Sequence, residues 1–85
     1  MTLKIEKHSD GCRTTIRLIG RMKAEHLAEL EAQISESGSY VLLDLRELNL
    51  VDVQVVRFLG TCEGQGITLA NCSVYIRDWI AKEKN

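Results

Sequence analysis

The chain contains no proline, so no turn in it is locked by a pyrrolidine ring. It also lacks a block of one charge. Eleven Lys and Arg are interspersed with twelve Asp and Glu, for a formal net charge of −1. Nucleic acid and anionic membrane surfaces both call for a basic face, so neither is expected as the main partner. No apolar stretch is long enough to span a bilayer, and the residues after Met1 (Thr-Leu-Lys-Ile-Glu-Lys-His) carry no apolar leader core or cleavage signal. Three cysteines, Cys12, Cys62 and Cys72, are too few and odd in number for a disulfide framework. These absences together predict a reduced, cytoplasmic, soluble protein. No His/Cys spacing fits a metal site, no glycine-rich loop opens a helix, and no nucleophile stands with a base. Catalysis, a cofactor and a bound metal are therefore not expected.

What is present is the patterning of one small domain over residues 1–85, with no linker or repeat. A domain of this size buries roughly 60% of its unfolded surface, which leaves little volume for a large internal pocket. Leu3 to Lys7 alternates as a half-exposed strand. Ser9-Asp10-Gly11 marks a turn, and Arg13 to Ile19 is a second strand that Gly20 ends. Lys23 to Ser37 reads as a helix, with Ala24, Leu27, Leu30 and Ile34 on one stripe and Gly38 at the C′ position. Tyr40 to Leu45 is a central strand, apolar on both faces. Asp52 to about Glu63 is a second helix built on Val55, Phe58, Leu59 and Cys62. Ile67 to Ala70 is the fourth strand. Ser73 caps a last helix with Ile76, Trp79 and Ile80 inward, and Lys82 and Lys84 near its C-terminal end. The order β-β-α-β-α-β-α, with right-handed crossovers, predicts an α/β fold. Its four-stranded mixed sheet has consecutive strand order, and the helices lie mainly on one face.

The stretch from Val41 to Gln65 holds the candidate site. A buried strand ends in Asp44-Leu45, a short loop follows, and Asp52 opens a helix at the sheet rim. Free amides and a partial positive charge gather at such a helix start. Its first residues, Val53, Gln54 and Val55, bring no nucleophile, hydroxyl or charge. For Asp52 the plain reading is an N-cap and the sharper one a partner contact; the two are compatible. Asp44 and Asp52 could hold Mg²⁺, but loop hydrogen bonding is the plainer reading, and no lysine stands in the loop. Gln54, Arg57 and Thr61 share one exposed stripe, flanked by Val53, Val56 and Gly60. That strip is either a partner surface or scattered surface residues over a buried Val56. Cys72 at a helix N-terminus is the candidate reactive thiol, with inert packing as the plainer reading. The Tyr75–Trp79 pair reads as packing before ligand stacking.

The chain resembles the STAS domain, the fold of bacterial anti-sigma factor antagonists and of the cytoplasmic tails of sulphate transporters. Thr15-Ile16-Arg17-Leu18-Ile19-Gly20 looks like the family's second strand. Val41-Leu42-Leu43-Asp44-Leu45 looks like its central strand. Leu50-Val51-Asp52 matches the approach to its Asp-Ser-Ser-Gly motif, and Gly66-Ile67-Thr68-Leu69 the strand that follows. The resemblance implies a non-catalytic regulator of transcription or signalling. It would bind a protein, an anti-sigma factor kinase or a signalling assembly, through Asp52, Val53, Gln54, Val56 and Arg57. The departure lies in the motif itself. Val53 and Gln54 stand where the family has serines, and Gln54 takes the phosphorylated position, so the phosphosite is degenerate. The alternative from another class is a sensor of a small ligand, nucleotide or anion, since helix-two amides could receive a phosphate. The first strand reads as an edge blunted by Lys4 and Glu6, which leaves a homodimer open.

Overall fold

In a computed structural model, residues 3–37 and 40–83 are described. Strand β1 (Leu3–Asp10) turns at Gly11-Cys12 into β2 (Arg13–Met22), and the two pair antiparallel along their whole length. Gly11 has φ +65, the positive value that a tight two-residue hairpin turn needs. Lys23 leads into a 3-10 turn, Ala24–His26, and then helix α1 (Leu27–Glu36). Strand β3 (Tyr40–Asp44) follows, then β4 (Leu48–Val51), helix α2 (Val53–Gly64), β5 (Thr68–Ala70) and helix α3 (Val74–Glu83). The Gly38 helix stop and Lys84 lie outside the described residues.

Among the described residues the sheet has five strands in the order β1-β2-β3-β5, with β4 also paired to β2. Strands β2, β3 and β5 run parallel, and β1 is antiparallel at the edge. The consecutive order therefore holds, but the count of four strands is corrected to five. The reason is the length of β2, which has ten residues against five in β3. Its first half, Arg13 to Arg17, pairs with β3, and its last residues, Gly20 to Met22, pair with β4. Thus β2 does not stop at Ile19. Gly20 takes φ +103 and donates its N–H to Glu47 O at 2.9 Å, the register shifts there, and the strand resumes.

Alternation decides what is inside. Ile16, Leu18, Val41, Leu43 and Leu69 point at the helix layer and are buried. They meet Leu30 of α1, Val55, Val56, Leu59 and Cys62 of α2, and Ile76 and Ile80 of α3 in one core. The opposite parity, Thr15, Arg17, Ile19, Leu42 and Asp44, is only half-buried, and Tyr40 is 65% exposed. So β3 is covered on one face, not on both as its apolar run suggested. In α1, Leu30 is fully buried and Leu27 and Ile34 pack beside it, whereas Ala24 belongs to the 3-10 turn and is exposed. Trp79 is half-buried against the core, 5.7 Å from Tyr75 between ring centroids. Among the described residues no helix is long and apolar enough to cross a membrane.

Candidate functional site

The start of α2 is fixed by Asp52. Its backbone is extended (φ −107, ψ 178), as an N-cap requires. Carboxylate Oδ1 accepts the Val55 N–H at 3.0 Å, and Oδ2 accepts the Ala24 N–H at 3.0 Å. One carboxylate thus caps the helix and ties it to the segment leaving β2. The Val55 amide first, and then, against an opposing cost of burial, the Ala24 and Gln54 amides and the nearby Lys23 charge hold Asp52 below the usual carboxylate range. Strand β4 delivers Asp52 to this place. Leu48 and Val51 are buried, which anchors the strand on the helix side of the sheet.

Asp44 performs a separate task. Its Oδ1 accepts the Arg46 N–H at 3.0 Å and Asn71 Nδ2 at 3.1 Å, so it ties the end of β3 to the end of β5. Burial pushes this carboxyl up, but the Arg46 amide, the Asn71 carboxamide and the charges of Arg17 and Arg46 outweigh it and hold the group low. Asn71 itself sits at φ +56, a left-handed position that Asn tolerates well. Asp44 and Asp52 accept from different partners, and among the described residues no three His, Cys, Asp or Glu side chains converge as a metal site would require.

Along α2, Gln54, Arg57 and Thr61 are exposed and Val53 is half-exposed. Val56 is different: it is fully buried, so its place in the partner surface is corrected. Helix α3 covers it. Arg57 Nε donates to Glu83 Oε1 at 2.9 Å, and Arg77 Nη1 donates to both Glu63 carboxylate oxygens at 2.8 and 2.7 Å, clamping α3 to α2 at two points. Between the helices lies a shallow groove of about 280 Å³, lined by Val56, Arg57, Gly60, Thr61, Ile80 and Glu83. The strip seen in sequence is therefore a polar rim beside a groove with an apolar floor.

Cys72 is half-buried, and burial pushes its thiol up despite Arg77 nearby, which favours the inert reading over the reactive one. Cys62 is buried and pushed up to about 11. Cys12 stands exposed in the hairpin turn. Sequence reasoning missed a cluster on the open face of the sheet. Arg17 bridges Glu6 at 3.6 Å and also pairs with Glu47, joining β1, β2 and the loop before β4. The signal available was parity: Arg17 alternates with buried Ile16 and Leu18 and so had to stand on the other face.

No protein-family model matches this chain, and a search of curated proteins finds no match either.

Proposed function

We propose that this chain is a non-catalytic, STAS-like regulatory domain that acts in the cytoplasm by protein–protein recognition. The partner is of the anti-sigma factor kinase kind, or a larger signalling assembly. One observation carries the reading. The first turn of α2 is held from two sides by Asp52, and it presents Val53, Gln54 and Arg57 beside a groove without offering a nucleophile. A pre-ordered helix end suits docking, because little conformational entropy remains to be lost. Val53 and Gln54 cannot accept phosphate, so the surface stays permanently unmodified and binding is not switched there.

The test uses charge in place of phosphate. A negative group near a helix N-terminus is tolerated by the fold or stabilises it by about 0.3–1 kcal/mol. In a desolvated contact an unpaired carboxylate costs roughly 2–5 kcal/mol. With the partner isolated on the wild-type protein and identified, Gln54→Glu and Val53→Glu together should leave the melting curve in place and weaken binding at least about tenfold, or ~1.4 kcal/mol. An unchanged affinity would move the partner surface elsewhere, most directly to the acidic face of α1.

A further inference from the structure

Among the described residues, strand β1 is hydrogen-bonded on one side only, to β2. It offers eight residues at the free edge, whereas β5 at the other end of the sheet offers three. Residues Leu3, Ile5 and Lys7 stand opposite Gly20, Leu18 and Ile16 and so share the helix-covered face. Lys4, Glu6 and His8 stand opposite Ile19, Arg17 and Thr15 on the open face. The two-residue turn makes Asp10–Arg13 a pair that exchanges hydrogen bonds. By alternation, Lys4, Glu6 and His8 direct their backbone groups at β2. Leu3, Ile5 and Lys7 direct theirs outward.

The charges along this edge are self-complementary in one register. When two copies of β1 pair antiparallel about a two-fold axis, the residue on the axis meets itself. An axis at Lys4 sets lysine on lysine, one at Glu6 sets glutamate on glutamate, and one at Lys7 sets lysine on lysine. An axis at Ile5 sets isoleucine on isoleucine, Lys4 opposite Glu6 twice, and Leu3 opposite Lys7 twice. A pocket of about 210 Å³ beneath the edge is lined by Leu3, Ile5, Glu25, His26 and Glu29. The Ile5 register brings Lys7 of the second copy beside Leu3, at the mouth of this acidic pocket. Within one copy Lys7 lies 3.8 Å from Glu36, so acidic side chains stand beneath both ends of the edge, and the register is chosen by the open-face charges.

We propose that β1 is the interface of a symmetric homodimer, joined antiparallel about Ile5 into a continuous ten-stranded sheet. Three residues per copy, Leu3, Ile5 and Lys7, exchange ladder hydrogen bonds, Lys4 and Glu6 form the pairs on the open face, and Leu3 and Ile5 lose their remaining exposure. This interface is distinct from the start of α2 and does not depend on the partner reading above.

The experiment is sedimentation equilibrium of the wild type, Lys4→Glu, Glu6→Lys and an equimolar mixture of the two variants. At roughly 100 µM a dimer with a Kd of ~10 µM is mostly assembled. The wild type should be dimeric. Each variant alone should dimerise at least about tenfold more weakly, because it sets like charges against each other at two places. The mixture should regain dimer, because one copy then carries two acids where the other carries two bases. Both side chains stand on the open face, and far-UV circular dichroism should show unchanged folds. In a Cys12→Ser background, Ile5→Cys should oxidise to a disulfide linking two copies. A hydrogen-bonded antiparallel pair holds its Cα atoms about 5.5 Å apart, inside the disulfide range. A monomeric wild type at this concentration, a dimer indifferent to both single variants, or a mixture that stays monomeric would overturn the proposal.

Discussion

Helices α2 and α3 begin with the same local device and end up held differently. Each follows a strand, each opens on a short polar residue, and each places valine first. At α2, the Asp52 carboxylate takes two amides, from Val55 in its own helix and from Ala24 in the 3-10 turn after β2. At α3, Ser73 Oγ takes the Ile76 N–H at 3.2 Å, and the residues after it are open: Val74 is 85% and Tyr75 56% exposed. A cap of either kind satisfies the helix. The second bond, made across the fold, turns one helix start into a fixed surface and leaves the other as an ordinary end.

The widest separation between the two starts should come from removing the caps. Asp52→Ala loses the N-cap bond, worth about 1 kcal/mol, and a charge-assisted bond to Ala24 worth about another 1–2 kcal/mol. Ser73→Ala loses one neutral cap, about 1 kcal/mol. Urea unfolding should show the first deficit roughly two to three times the second. Equal deficits would mean that the Ala24 bond contributes nothing and that the two starts are energetically alike.

Acid should narrow the gap on one side only. Asp52 titrates below its ordinary value, so its contribution is whole above the unfolded pKa of about 3.9 and is lost as pH falls through the folded value. The stability difference between the wild type and Asp52→Asn should be present at neutral pH and close on acidification below about pH 4. The difference between the wild type and Ser73→Ala should not change with pH over that window. Asp44 is also held low, but it is present in every protein compared and cancels. A gap for Asp52→Asn that persists unchanged into acid would show that the charge is unimportant and only the shape of the cap matters.

The smallest effect belongs to Val74. Its side chain is almost wholly in solvent, so Val74→Ser should change stability by no more than about 0.5 kcal/mol. A larger loss by thermal melting would place Val74 in a contact and make the start of α3 a candidate surface as well.

Much of this architecture was legible because its signals are local. Alternation from Leu3 to Lys7, the Asp-Gly turn, the stripe of Val55, Leu59 and Cys62, and the caps at Asp52 and Ser73 each depend on neighbours within one element. All of these reappear in the structure. The exposed row of Gln54, Arg57 and Thr61 followed from helical spacing in the same way. Strand β4 was not legible. Leu48 to Val51 is four residues long, and its strand character comes from pairing with Gly20 to Met22, nearly thirty positions earlier. Nor did Gly20 mark a strand end, because a register shift let β2 continue past it.

The sequence by itself determined the periods: which residues alternate, which recur on a helix face, and where α2 and α3 are capped. Those follow from backbone geometry and from the orphan amides of a helix start. Only the tertiary structure decided what lies opposite each face. Val56 sits on the edge of the α2 stripe, and its burial depends on α3, whose Ile80 lies across the same groove. Leu42 has the composition of a core residue but stays half-exposed, because no helix covers that face of the sheet among the described residues. Asp52 announces a cap in sequence. That it also holds Ala24, and with it the rim of the sheet, depends on chain closure over twenty-eight residues, which no local pattern encodes.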